Sequence, residues 1–409
     1  MAEAPSRPVF WNEIRILLLA AMAVFIYTIV IGILNGTDAV EFDRKRVLGH
    51  VHGGTLGWLT LAVFAASLWL FGESRAAFDR ERMFIRGLIA VAIVSFVAYT
   101  AAFSLTYGNW RPILGIVATI AIGAFFAWVV WRSVSQTLGV PHWGFLAALG
   151  TSVTGGVLGV LLGLQIATGD QWLPDGGDDA HPATMVVGFL VPISMAMVEW
   201  AFFFPRPPAA TRLGKIQMIF PFLGGVLLMI AILLDQDALA PPAIILEIIG
   251  LVILLIRMWP WVKPMEWLPA TPQRHAVMGM VAVLFAIGLA QYFIIKYDGD
   301  FDLVPAHQLL ALDHSQFIGA VTNSLFAMIM LATIGARGNR FDQAIFFLVN
   351  VGLVLFVIGL LSDTDPWKHA GTPLMGAGLL LGIGTYTYRL LPELFSREPA
   401  AGTRAVPAK

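Results

Sequence analysis

Long apolar stretches separated by short polar breaks dominate the chain. Twelve stretches each carry roughly twenty apolar residues, the length that spans a bilayer core. In lipid such stretches must be helical, because every backbone donor and acceptor has to be satisfied within the segment. The predicted segments are 14–35, 48–72, 84–106, 112–134, 143–168, 181–204, 215–234, 241–260, 275–296, 305–335, 343–362 and 371–391. The pattern predicts an all-α integral membrane protein with about 12 transmembrane helices, forming a single polytopic domain over residues 1–409.

Lysine and arginine in the loops predict the orientation of these helices. With the N-terminus inside, 19 of the 25 basic residues fall in inner loops and termini, and 6 fall in outer loops. Because loops rich in Lys and Arg stay on the cytoplasmic side, both termini are expected to be cytoplasmic. The membrane is expected to be a bacterial cytoplasmic (inner) membrane.

Composition supports this class and excludes others. The chain is 58% hydrophobic and 12% charged, whereas soluble domains carry about 25% charged residues. The net charge of −1 gives no basic surface for a nucleic acid. The chain has no cysteine, which excludes disulfides, thiolate-bound clusters and covalent haem attachment through a cysteine pair. Any metal or haem must therefore be held by His, Met, Tyr or carboxylate side chains.

Histidines occur near the start of predicted helices 2, 6 and 10. His50 and His52 lie in helix 2, His181 begins helix 6, and His307 and His314 lie in the first half of helix 10. The intervals from 52 to 181 and from 181 to 314 are 129 and 133 residues, each about a third of the chain. This spacing predicts three pseudo-symmetric arcs of four helices, each contributing one histidine-bearing helix.

Histidines gathered at one depth of a membrane bundle indicate a cofactor. Ionisable residues inside a bilayer are costly and usually mark function, and neutral imidazole is a common axial ligand of haem iron. His52 and His314 are the preferred pair, because a glycine follows each of them five residues later. Those glycines, Gly57 and Gly319, are expected to leave room for a flat macrocycle. His50 points to nearly the opposite face of the helix from His52 and is expected to serve a second cofactor or a surface hydrogen bond.

Further polar residues complete the candidate site. Arg44 and Arg46 lie just outside helix 2 and are expected to pair with haem propionates. His307 is expected to contact a propionate or to bind a second metal. Glu247, in the outer half of helix 8, is a candidate metal ligand or proton relay, with a hydrogen bond to a neighbouring helix as its alternative. Capping or packing is the alternative for the candidate histidines and the expected role of the other three, His142, His275 and His369.

The architecture and three histidine segments resemble subunit I of the haem-copper oxidase superfamily, which includes the cbb3-type cytochrome c oxidases and the nitric oxide reductases. The segments are HVHGGTLGW, HPATMVVGFL and DHSQFIGAVTN. The resemblance implies a low-spin haem between His52 and His314, and a copper or non-haem iron site that begins with His181. Helix 7 lacks the two histidines that complete this metal site in the family, and Leu312 stands where the family has the ligand of a second haem. The resemblance therefore implies a haem-binding relative with an incomplete copper site.

These features predict a haem b-binding membrane protein of respiratory electron transport. The expected partners are the lipid bilayer, a quinol or cytochrome c-type electron donor, and further membrane subunits. If the protein is an enzyme, the resemblance implies an oxidoreductase of the terminal oxidase or nitric oxide reductase type. Two alternatives stay open: a non-catalytic haem-binding sensor or oxidase-assembly protein, and a metal-free proton-coupled transporter whose histidines relay protons.

Overall fold

Twelve long helices make up the computed structural model, which describes residues 7–73, 75–105, 110–297, 300–333 and 338–395. The helices are α1 (Trp11–Gly36), α2 (Arg44–Gly72), α3 (Asp79–Leu105), α4 (Trp110–Ser133), α5 (Val140–Thr168), α6 (Gly177–Phe203), α7 (Arg212–Leu233), α8 (Asp237–Val262), α9 (Pro272–Lys296), α10 (Ala306–Thr333), α11 (Arg340–Leu361) and α12 (Asp365–Phe395). The first eleven are long and apolar enough to cross a membrane, and α12 has 31 residues. The described ranges contain no strand. The prediction of an all-α integral membrane protein is confirmed.

The histidine-bearing helices α2 and α6 begin four residues earlier than predicted. In α2 the cause is a cap, because the Asp43 side chain accepts a hydrogen bond of 2.9 Å from the backbone N–H of Arg46. His50 and His52 therefore lie in the second and third turns of α2, deeper than the sequence indicated. The predicted ends of helices 3 and 10, at 106 and 335, lie outside the described residues.

Helices α2, α6 and α10 form the centre of the bundle. Between 78% and 89% of their apolar windows is buried, against 33–56% in the other eight candidate spans. Each central helix packs on the helix before it in the chain, α2 on α1, α6 on α5 and α10 on α9. The nine remaining helices surround the three central ones, which confirms the prediction of three arcs of four helices.

Each central helix changes from α-helical to π-helical geometry in its first half. The π-helical stretches are Gly53–Thr60, Thr184–Leu190 and Ser315–Thr322. They begin at 131-residue intervals, so the structural repeat is 131 residues rather than the 129 and 133 inferred from the histidines. The sequence-based intervals differ because they matched histidines that are not structurally equivalent. Single stretches of π-helix are rare and are often found at functional sites.

Three glycines follow the same 131-residue repeat and set the packing of the central helices. They are Gly57, Gly188 and Gly319. A Cβ atom at these positions would lie less than 3.0 Å from a side chain of the preceding helix, at Val24, Thr151 and Ala282 respectively. The glycines therefore permit close helix packing, and the expectation that Gly57 and Gly319 make room for a macrocycle is wrong.

Buried ion pairs lie near the ends of the helices opposite to the histidines. Helices α4, α8 and α12 each carry an arginine there that meets a carboxylate on another helix at 2.7 Å. The pairs are Arg132–Glu81, Arg257–Glu199 and Arg389–Asp342. Each carboxylate is almost completely buried, so removing its arginine would leave an uncompensated charge. The three pairs join helices within each arc and add a second feature to the threefold pattern.

Candidate functional site

A cavity of about 330 Å³ lies between α1, α2, α10, α11 and α12. His50 from α2 and His314 from α10 both line it, and His307 lines it as well. The structure therefore brings together three of the predicted histidines in one place. The remaining lining is mainly aliphatic and aromatic, and the volume lies in the range of small-molecule sites, about 300–1,000 Å³.

His50 and His314 are held in the same tautomer by backbone carbonyls. The Nδ1–H group of His50 donates to the carbonyl of Thr28 in α1 at 2.9 Å. The Nδ1–H group of His314 donates to the carbonyl of Leu310, one turn earlier in α10, at 2.8 Å. With the proton fixed on Nδ1, each ring keeps its lone pair on Nε2. Histidines that ligate metals almost always donate their other ring nitrogen in this way, so both rings are prepared to act as ligands.

His52 does not line this cavity, so the structure does not bring it together with His314 there, and His50 takes the place that the sequence had suggested for His52. The ring of His52 stacks on Phe103 of α3, with centroids 3.9 Å apart. It also lies edge-on to Tyr99 at 5.4 Å. Residues two apart on a helix point in nearly opposite directions, and the structure turns His50 toward α10. The sequence could not give this rotation, because it depends on the packing of α2 against α1.

Aromatic side chains bound the cavity deeper in the membrane. Trp58 and Phe25 line it and stack with their ring centroids 4.6 Å apart. The Trp58 Nε1–H group donates to Thr322 Oγ1 at 3.0 Å, which ties α2 to α10 below the histidines. On the α11 side, Phe356 lies edge-on to His314 at 4.9 Å. These contacts close the cavity with rigid apolar surfaces, and no spacing in the sequence had indicated them.

A small charged network occupies the mouth of the cavity, and it differs from the one expected. The carboxylate of Asp38 accepts hydrogen bonds from Lys368 at 2.8 Å and from His369 at 2.7 Å. These bonds, that of Lys368 foremost, lower the pKa of Asp38 below its usual value. Asp38 and Lys368 line the cavity, whereas Arg44 and Arg46, which were expected to line it, do not. The cation at the mouth is therefore Lys368, which no pattern in the sequence had indicated.

The predicted metal ligands His181 and Glu247 contact different helices. The His181 Nδ1–H group donates to the carbonyl of Gly155 in α5 at 2.9 Å. Glu247 is 3% exposed and packs against Gly224 of α7. No hydrogen bond or ion pair joins His181 to Glu247 in the part of the chain that the structure describes. The structure therefore places the two predicted ligands against different helices, His181 against α5 and Glu247 against α7.

The histidines expected to be structural have ordinary contacts. His142 accepts a hydrogen bond of 3.0 Å from the backbone N–H of Gly139 and so caps the start of α5. His275 is completely buried and donates or accepts at 2.8 Å with Asn323. His369 binds Asp38 at the surface. The interpretation of these three residues as structural agrees with their positions.

The fold and the cavity define the class of protein to which this chain belongs. It is an all-α integral membrane protein with a ligand-sized cavity between two of its three central helices. Comparisons with known protein-family models and with curated protein sequences find no match to the chain.

Proposed function

We propose that the protein binds haem b in the cavity between α2 and α10, with His50 and His314 as axial ligands, and that it carries electrons in a respiratory membrane. The observation that carries the proposal is that these two histidines line one mostly apolar cavity, whose charged lining residues are Asp38, Asp313, Asp363, Asp365 and Lys368. Each comes from a different central helix, and each has its proton fixed on Nδ1 by a backbone carbonyl. Neutral imidazoles of this kind are the common axial ligands of haem iron in helical bundles.

The surroundings of the two histidines also fit a haem. A flat, mostly apolar ring system suits a cavity bounded by Trp58 and Phe356, while its propionates need cations at the polar end. Lys368 lies at that end and can bind a carboxylate in place of, or together with, Asp38. The haem would supply one-electron redox chemistry. The protein contributes the ligands, the orientation and a cavity from which apolar walls exclude water.

Two protein ligands favour electron transfer over reaction with a gas. If His50 and His314, which both line the cavity, hold the haem iron together, they would leave no position open for oxygen or nitric oxide. His181, the candidate for a copper or non-haem iron site, has Gly155 and Gly159 as its neighbours in α5 and no carboxylate or histidine from α7. We therefore propose an electron carrier and not an oxidase or reductase. A non-catalytic haem-binding sensor is the second candidate, and gas binding distinguishes it.

The proposed location is a bacterial cytoplasmic membrane with both termini in the cytoplasm. The support is the distribution of Lys and Arg, 19 of 25 of which lie on the proposed inner side. In this orientation the cavity opens toward the outer surface. A quinol or a cytochrome c-type protein is the proposed electron donor, and the acidic residues of the outer loops suit a basic cytochrome surface.

The test is the absorption spectrum of the purified protein, recorded reduced minus oxidised, together with a pyridine haemochrome assay for haem type. We expect a haem b spectrum of the six-coordinate, low-spin form. His50→Ala and His314→Ala should each remove the spectrum of this site, because one axial ligand is lost. His369→Ala is the matched control, since His369 lies near the mouth without lining the cavity, and it should leave the spectrum unchanged.

Two results would contradict the proposal in different ways. A spectrum that survives both His50→Ala and His314→Ala would show that the haem is bound elsewhere. A protein purified from haem-supplied cells with no haem at all would favour the metal-free transporter. Carbon monoxide added to the reduced protein separates carrier from sensor: no spectral change is expected for two histidine ligands, and a shifted spectrum would indicate an open position.

A further inference from the structure

A groove of about 930 Å³ lies on the surface of the bundle between α3 and α4, at the end opposite to the histidines. Its volume is near the upper end of the range of small-molecule sites, about 300–1,000 Å³. Phe78 and Phe84 line it on the side of α3, and Trp131 lines it on the side of α4. These three side chains are 49–64% exposed. Because α3 and α4 are both candidate membrane spans, the groove is open to the surrounding lipid.

The floor of the groove is held in place by hydrogen bonds between α3 and α4. Trp128 and Glu81 line the groove and are almost completely buried. The Trp128 Nε1–H group donates to Glu81 Oε1 at 2.9 Å, and Arg132 donates to the same oxygen at 2.7 Å. The floor is therefore formed before any ligand binds, and Arg132 compensates the charge of its carboxylate.

Two arginines lie at the rim of the groove. The guanidinium of Arg75 is 4.0 Å from the centroid of the Trp131 ring and 5.3 Å from that of Phe78, two rings that line the groove. Arg80 lines the groove and is exposed. Within the described ranges of the chain, neither arginine forms an ion pair with a carboxylate. A guanidinium stacked on a ring keeps the N–H groups of its edge for an anion, and its planar fork matches phosphate oxygens.

Two small residues of α4, Ala124 and Ala127, leave the groove open. The positions 131 and 262 residues later, in α8 and α12, hold larger side chains. These are Leu255 and Met258 in α8, and Tyr386 and Arg389 in α12. Met258 and Tyr386 are almost completely buried. The first arc therefore leaves space where the other two arcs carry large side chains, so the threefold packing does not itself require a groove.

We propose that this groove binds an anionic phospholipid, with an acyl chain over Ala124 and Ala127 and its phosphate on Arg75 and Arg80. An apolar groove with two cations at one end is complementary to a molecule that is apolar along its length and negatively charged at its end. Basic pockets between transmembrane helices on the cytoplasmic side bind anionic head groups in this way. In the orientation proposed above, the groove faces the cytoplasmic leaflet. The inference is independent of the proposed haem.

The experiment is native mass spectrometry of the delipidated full-length protein in detergent. The protein is titrated with phosphatidylglycerol, which is anionic, and with phosphatidylcholine of the same acyl chains, which has no net charge. Wild-type protein should bind phosphatidylglycerol more tightly. Arg75→Ala and Arg80→Ala should each weaken that binding about fivefold and leave phosphatidylcholine binding unchanged. Ala127→Leu should weaken the binding of both lipids, because the larger side chain takes the space of the acyl chain.

Arg340→Ala is the matched control. Arg340 also lies over a ring near the same end of the bundle, 5.4 Å from the centroid of Phe341, but it lies in α11 and does not line the groove. Its removal changes the net charge by the same amount as the loss of Arg75 or Arg80. Phosphatidylglycerol binding should therefore stay as in the wild type.

Three results would overturn the proposal. Equal binding of the two lipids by the wild type would remove the role of the cations. An equal loss in Arg340→Ala and in the two rim variants would assign the effect to net charge. A dimer that dissociates in Ala127→Leu, without any lipid preference in the wild type, would assign the groove to a second copy of the chain. Unchanged phosphatidylcholine binding in Arg75→Ala and Arg80→Ala shows that these variants are folded, and helical circular dichroism checks Ala127→Leu.

Discussion

Replacing the three central glycines with alanine tests the threefold packing that places the histidines. At Gly57, Gly188 and Gly319 a new Cβ would come within 3.0 Å of a side chain on the preceding helix. Two of these neighbours, Ala282 and Thr151, cannot move aside easily. Ala282 has no side-chain torsion to turn, and the Thr151 hydroxyl bonds the carbonyl of Ala147 at 2.8 Å. The helices must therefore separate, which would also lengthen the bond from His50 in α2 to α1.

The magnitude follows from two opposing effects. Overpacking a well-packed interior by one methyl group costs about 1–3 kcal/mol. Alanine in place of glycine inside a helix stabilises the helix by roughly 0.5–1 kcal/mol, because glycine loses more conformational freedom on folding. Each variant should therefore lose about 0.5–2 kcal/mol of unfolding free energy. Gly87 of α3 is the control, because a Cβ there meets nothing within 4 Å, and Gly87→Ala should gain roughly 0.5–1 kcal/mol.

The assay is unfolding by sodium dodecyl sulfate in mixed micelles, followed by the loss of helical circular dichroism. Gly57→Ala, Gly188→Ala and Gly319→Ala should unfold at lower detergent fractions than the wild type, and Gly87→Ala at the same or a higher fraction. If all four variants unfolded together, the close approach of each central helix to its predecessor would be refuted. The 131-residue equivalence of the histidines would then lose its structural basis.

Two further predictions concern the charged groups at opposite ends of the bundle. Asp342→Asn should cost about 3 kcal/mol in the same assay, because it removes a fully buried carboxylate and leaves the half-buried Arg389 guanidinium without its charged partner. Hydrogen bonds from Lys368 and His369 lower the pKa of Asp38, so this carboxylate stabilises the fold above its usual pKa near 4 and stops doing so as the pH falls through the lowered value. Asp38→Asn should therefore flatten the decline in thermal stability between about pH 5 and about pH 2, by under about 1 kcal/mol since the group is exposed.

Matched controls exist for both of these predictions. The pair Arg206–Glu73 is largely exposed on the arginine side, so Glu73→Gln should change stability by no more than about 1 kcal/mol. An equal loss in Glu73→Gln and Asp342→Asn would contradict the argument from burial. Asp363 lines the same mouth without the bond to Lys368, and Asp363→Asn should leave the acid profile unchanged. A flattened profile in that variant would assign the effect to net charge.

Hydropathy predicted the twelve helices because the bilayer leaves the chain few options. Each span needs about twenty apolar residues and satisfies its own backbone, so length and composition alone locate it. The arcs followed from histidine spacing, but with the wrong register, since His52, His181 and His314 are not equivalent. The register was present in the sequence as the 131-residue repeat of Gly57, Gly188 and Gly319. The expectation that Gly57 and Gly319 make space for a ligand hid this repeat, because it assigned a role to two of the three glycines and none to Gly188.

The direction in which each central helix turns its histidines could not be predicted from the sequence, for a physical reason. A π-helical stretch bonds residue i to residue i+5 and so winds differently from an α-helix, which turns by 100° per residue. The apolar face that follows the stretch therefore does not indicate which residues face the same side before it. The side chains of Thr60 and Thr322 follow the same spacing, because each hydroxyl donates to the carbonyl five residues earlier, at 2.8 and 2.9 Å. Choosing between His50 and His52 required that geometry. The charged pair at the mouth of the cavity could not be predicted either, because Lys368 and Asp38 lie 330 residues apart in the sequence.

Threefold architecture also explains why the two histidines of α2 have different surroundings. A central helix faces two neighbours, and residues two apart on it point to nearly opposite sides. His50 lines the cavity together with His314 of α10, whereas the ring of His52 stacks on Phe103 of α3. At the position of His50 the 131-residue repeat places His181 in α6 and Leu312 in α10. The repeat therefore sets the direction of each side chain, and the residue type at each position decides which neighbouring helices share a pair of histidines.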